Sequence, residues 1–174
     1  MRLEGTILSI ERDRSEEGRW RQSVIGYKVP QREVAVRVHR RGSEPVAGHL
    51  FVATDPSGCS MHTILDKLND PEERFLAYDV AGDSRLIAKR WILSIDMLDG
   101  EQAAVELATH GNPPVDVVVY LSDGTVVKGG VSYLMPPGRE RPIDLLNLTR
   151  GFLPIQTSEG LTLVNLDHVI EWRP

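Results

Sequence analysis

The sequence predicts a mainly β protein with short helices, a tandem duplication of one small β-β-α-β-β unit of barrel-like character. Three observations carry that expectation. Val34, Val36 and Val38, and again Val115, Val117 and Val119, occupy alternate positions, the period of a strand with one buried face. Each run is followed by turn residues and a second apolar stretch with a glycine inside it, Gly48 in one case and Gly129 in the other. The two regions then stay in order over most of their length.

The alignment is specific enough to test. At one shift the three valines meet three valines, Val46 meets Val127, and Gly48 meets Gly129. Further on, Leu65-Asp-Lys-Leu68-Asn69 matches Ile143-Asp-Leu-Leu146-Asn147, and Phe75-Leu76 matches Phe152-Leu153. Leu86-Ile87 through Ile92-Leu93 then matches Leu163-Val164 through Val169-Ile170. Any two valine hairpins look alike, but that does not produce the later blocks in the same order.

Each element has a local reason. Ser122-Asp123-Gly124-Thr125 is tight-turn chemistry, because glycine accepts positive φ at little cost. The strand after it, 126–134, holds Gly129-Gly130, which predicts a bulge or sharp bend. Gly42-Ser-Glu-Pro45 makes a different loop in the first copy. A Met135-Pro-Pro-Gly138 break precedes a short helix at 142–147, with Pro142 suited to its first position. The matching helix should start near Ser60 and end near Asp70-Pro71. Strands at 152–157 and 161–172, joined by Ser158-Glu-Gly160, complete the unit.

The expected organisation is therefore an N-terminal strand and charged loop (1–33), a first repeat (34–95), an acidic linker (96–114) and a second repeat (115–174). The linker has four acids and no base, with a short helix expected over 102–108. Ile7-Leu8-Ser9-Ile10 recurs as Ile92-Leu93-Ser94-Ile95, so the unit either includes a leading strand or borrows one from its neighbour. Units of about sixty residues are marginal alone, so the copies should pack together or the chain should oligomerise. The expected core is Val36, Val38, Leu50, Val52, Leu68, Phe75 and Ile92, with Val117, Val119, Val131, Tyr133, Leu146, Phe152 and Val169.

Composition excludes several classes of function. Net charge is −5, the sequence pI is near 5.5, and aromatics make up 6%, which opposes general binding to nucleic acid. No apolar run reaches the ~18–20 residues of a membrane span. The first residues carry an early acid and no signal-like apolar core, and Cys59 is the single cysteine, so a cytoplasmic protein is expected. Cys59 and His62 have Cys-x-x-His spacing, but zinc wants a second ligand pair and a nucleophile wants an oriented base. Neither residue recurs in the second copy. No catalytic residue, cofactor site or metal site is expected.

Two resemblances follow from these motifs. Val117-x-Val119-x-Leu121-x-Asp123-Gly124-x-Val126-x-x-Gly129-x-Val131 resembles the first half of an Sm-like motif, and Leu161 through Trp172 resembles the closing strand pair of that SH3-like barrel. A helix interrupts the pattern where Sm proteins have a short loop carrying an RNA-contacting residue. Asp144-Leu-Leu-Asn147, Phe152-Leu-Pro-Ile155 and Leu163-Val-Asn165-Leu-Asp-His168-Val169 resemble a group of small bacterial proteins with no known activity.

Surface charge distinguishes the copies. Residues 34–95 carry eight basic and eight acidic side chains, whereas 115–172 carry four and seven. Arg37, Arg40, Arg41, Arg85, Lys89 and Arg90 belong to the first copy, on expected strands. Val118, Leu121, Ser122, Thr162, Leu166 and Asp167 replace them in the second. Basic residues also solubilise edge strands. The expected function is a non-catalytic interaction or adaptor module, those six residues contacting another, acidic protein, with a homo-oligomer as a separate expectation from the small size of each unit. The alternative is an Sm-like nucleic-acid binder using the same arginines.

Overall fold

A computed structural model describes residues 31–53, 61–98, 114–133 and 141–174. Within them the chain is mainly β. The strands are β1 (Gln31–Arg40), β2 (Ser43–Ala53), β3 (Phe75–Val80), β4 (Asp83–Ala88), β5 (Ile92–Met97), β6 (Val115–Leu121), β7 (Val126–Val131), β8 (Phe152–Thr157), β9 (Gly160–Asn165) and β10 (Val169–Arg173). Helices α1 (Met61–Asn69) and α2 (Pro142–Leu148) follow β2 and β7. All ladders are antiparallel, in one sheet of order β10-β6-β7-β8-β9-β5-β1-β2-β3-β4.

That order is the same five-strand sequence written twice, with β5-β1-β2-β3-β4 after β10-β6-β7-β8-β9. Registers repeat as well. Phe75 faces Ala88 as Phe152 faces Asn165, and His49 faces Asp79 as Gly130 faces Gln156. Among the described residues the sheet is open rather than closed into barrels, since β4 and β10 each pair on one side only.

Three details differ from the expectation. The last strand of each half is two strands, because the 3-10 turns Lys89–Trp91 and Leu166–His168 break it. Asn165 holds the second break by accepting the Asp167 N–H at 3.1 Å. Secondly, β7 runs through its glycines in regular register with β6, and no bulge forms there. The glycines instead allow close approach: a Cβ at Gly48 would collide with the Asp79 carbonyl, and one at Gly129 with the Gln156 carbonyl. Finally, the 96–114 boundary cuts into β5, which extends to Met97. The leading strand, the charged loop, the helix over 102–108 and Cys59 lie outside the described residues.

Bulges occur in the fifth strands. Across from β1, Arg40 faces Ile92 and His39 faces Ser94, leaving Leu93 as the extra residue. Across from β6, Leu121 faces Val169 and Tyr120 faces Glu171, leaving Ile170 in the same role. A bulge re-aims its side chain. Ile92, Ile95 and Met97 enter one core, while Leu93 enters the other.

Two cores result, and each crosses the boundary between the halves. The first gathers Val36, Val38, Leu50, Val52, Ile64, Leu68 and Ile92, but also Phe152, Leu161 and Leu163 from the second half. The second gathers Val117, Val119, Val131, Leu145 and Ile155 with Leu93 from the first. Ile64 and Leu68, one turn apart on α1, supply its buried face. In α2 Pro142 does open the helix, and Leu145 is its buried residue. Leu146, Tyr133 and Val169 are half-buried rather than core, and Phe75 is exposed.

Candidate interaction surface

Among the described residues, the features most open to a partner are the two sheet edges, β4 and β10, each paired on one side only. On the β4 side, Leu86 is 74% exposed and Phe75, at the start of the adjoining β3, is 58% exposed; on β10, Ile170 is 71% exposed. Their counterparts in the other half, Leu163, Phe152 and Leu93, are 0%, 2% and 1% exposed, because the β9–β5 junction covers them. Each edge also carries a charged pair, Arg85–Asp83 at 2.9 Å on β4 and Arg173–Glu171 at 2.7 Å on β10. Arg173 lies over the Tyr120 ring, 4.8 Å from its centroid.

The β9–β5 junction shows what covers such an edge. Ser94, Ile95, Asp96 and Met97 face Val164, Leu163, Thr162 and Leu161. Asp96 accepts from His39 Nε2 at 2.6 Å and from Thr162 Oγ1 at 3.0 Å, so one carboxylate links β1, β5 and β9. Burial by itself would raise the Asp96 pKa, but the His39 and Thr162 hydrogen bonds and nearby positive charge hold it below the ordinary carboxylate value. Asn165 Nδ2 donates to the Ile92 carbonyl at 2.9 Å, and His168 Nε2 to the Arg90 carbonyl at 2.8 Å. Asn69 brackets Phe152, accepting its N–H at 2.6 Å and donating to its carbonyl at 3.1 Å.

The six basic residues do not form one face. Arg37 is exposed on β1, opposite Asp96 in the ladder. Arg40, Arg41 and Arg90 come together where the β1–β2 turn meets the 3-10 turn: Arg40 faces Ile92, and the Arg41 N–H donates to the Trp91 carbonyl at 3.1 Å. Arg40 Nε is buried with no hydrogen-bond partner among the described residues. Arg85 lies apart, on the β4 edge. Lys89 is committed to the fold, its Nζ donating to the carbonyls of Lys67 (2.6 Å) and Asp70 (3.1 Å) at the C-terminal end of α1. Desolvation lowers its pKa. Of the six, Arg41 lies in a turn and Lys89 and Arg90 in the 3-10 turn rather than on strands, because the chain must reverse there before β5 can pair with β1.

Sequence reasoning missed the edge residues for a physical reason. Phe75 and Phe152 have the same local pattern, and only the strand order decides which one a neighbour covers. Ile170 was legible as the counterpart of Leu93, but its exposure was not. In comparisons with known proteins, no family model, curated protein or solved structure matches the chain.

Proposed function

We propose that this chain is a non-catalytic protein-interaction module, built as a tandem duplication of one small β unit, that engages its partner through its open sheet edges. The supporting observation is the exposure of Phe75, Leu86 and Ile170 beside edge backbone that pairs with no other described strand, where the matching residues inside the chain are buried. An apolar edge strand is a template for strand addition, with main-chain hydrogen bonds giving affinity and side-chain fit giving specificity. The repeated strand order and registers support the duplication. Arg85 beside Leu86, with Arg40, Arg41 and Arg90 on a separate rim, suits an acidic segment in such a partner.

The alternative reading is a nucleic-acid binder using the Arg40, Arg41 and Arg90 cluster. Fluorescence anisotropy with mixed RNA and DNA oligonucleotides at ~150 mM salt separates the two. Negligible binding is expected, because the chain carries net charge −5. Sub-micromolar binding that falls steeply with salt and vanishes on Arg40→Glu/Arg41→Glu would overturn the protein-interaction reading.

A further inference from the structure

We propose that the partner of the open edges is a second copy of this chain, joined head to tail: β10 of one molecule adds to β4 of the next, in the register by which β5 adds to β9 within the chain. The proposal rests on the interaction-module reading above and names its partner. β4 holds the same place in the first half as β9 in the second, and β10 the same place as β5. The internal junction is therefore a template for the external one.

Carrying the register across places Glu171, Trp172 and Arg173 opposite Ile87, Leu86 and Arg85 of the next molecule, as Ser94, Ile95 and Asp96 lie opposite Val164, Leu163 and Thr162. Within the chain, Phe152, Leu161 and Leu163 complete the first core, and the bulged Leu93 completes the second. Across molecules, Phe75 and Leu86 would enter the second core of the neighbour, and the bulged Ile170 would enter the first core in return. Those three are the most exposed large apolar residues among the described ones, at 58%, 74% and 71% respectively. The β10 side is also under-covered, since Val169 and Trp172 are only partly buried while their counterparts Ile92 and Ile95 are fully buried.

The charges fit the same register. Arg85 and Arg173 stand opposite each other, a repulsive pair if alone. Each brings its own carboxylate two residues away, Asp83 and Glu171. In an antiparallel ladder these fall on the diagonals, so that Glu171 reaches Arg85 and Asp83 reaches Arg173 of the adjoining molecule. Because the two surfaces differ, the contact is heterologous, and repetition gives a ring or an open chain rather than a two-fold dimer.

The test uses the full chain and two single-edge variants, Leu86→Glu for β4 and Ile170→Glu for β10. Both positions are exposed in the single chain, so folding should be retained, with circular dichroism as the check. Sedimentation over roughly 1–100 µM, the span of modest affinities, should show wild-type species heavier than the 19.4 kDa chain. Each variant alone should be a monomer. An equimolar mixture should form a pair of about twice the chain mass, because the Leu86→Glu molecule keeps an intact β10 and the Ile170→Glu molecule an intact β4. A wild type monomeric throughout the range overturns the proposal. Self-association that survives in one variant also overturns it, by showing an isologous contact. A monomeric wild type that loses a different, edge-dependent protein partner on Leu86→Glu overturns self-assembly but leaves the interaction-module reading standing.

Discussion

Phe75 and Phe152 show how far identical residues can diverge in role. Both begin the third strand of their half, yet Phe152 is packed in the first core and Phe75 is in water. Phe152→Ala should cost ~3–5 kcal/mol, the usual range for a buried phenylalanine. Phe75→Ala should change the stability of the dilute chain by less than ~0.5 kcal/mol, as an exposed site does. Paired denaturant titrations check both. Asp96 carries the second residue-scale expectation. Its pKa is depressed in the folded chain, so its contribution to stability is fully present above the ordinary carboxylate value of about 3.9 and is lost below it, as pH falls through the lower folded-state value. Asp96→Asn should therefore lower Tm at pH 6, with the gap to wild type closing below about pH 4.

At the scale of elements, the glycines of β2 and β7 explain why a hairpin can receive a third strand at such close range. Gly48 and Gly129 leave room for the carbonyls of Asp79 and Gln156, and backbone cannot yield as a flexible side chain can. Gly48→Ala and Gly129→Ala should each destabilise by about 1–3 kcal/mol, the cost of overpacking, as read from thermal melts. The bulges are the second device. One extra residue in β5 aims Leu93 into the second core while Ile92 and Ile95 stay in the first, so that one strand serves both.

At the scale of the whole molecule, the shared cores imply one cooperative unit. Phe152, Leu161 and Leu163 stabilise the half they do not belong to, and Leu93 does the same in return. Val36→Ala in the first core and Val119→Ala in the second should therefore lower the same single transition in calorimetry, rather than splitting it into two. This arrangement answers a problem of size, since each half, at about sixty residues marginal alone, gains apolar burial from the other. It also leaves the outermost strands uncovered, and the three most exposed large apolar residues among those described, Leu86, Ile170 and Phe75, lie on or beside them.

Local chemistry determined much of this protein from the sequence alone. Alternating valines marked β1 and β6, Asp123-Gly124 marked the β6–β7 turn with Gly124 at φ 91°, and Pro142 marked the start of α2. The shared order of motifs anticipated that both halves would carry the same strands. These signals act within a few residues of themselves, so a linear reading reaches them. Tertiary structure decided the rest. Whether a fifth strand pairs with its own half, with the other half or with nothing depends on sheet order, which no local pattern encodes. Asp96, counted as the first residue of a linker, became a link between β1 and β9 because β5 lies between them. Phe75, counted as core, remained exposed because β4 is the last strand of the sheet and nothing in the chain's described residues lies beyond it.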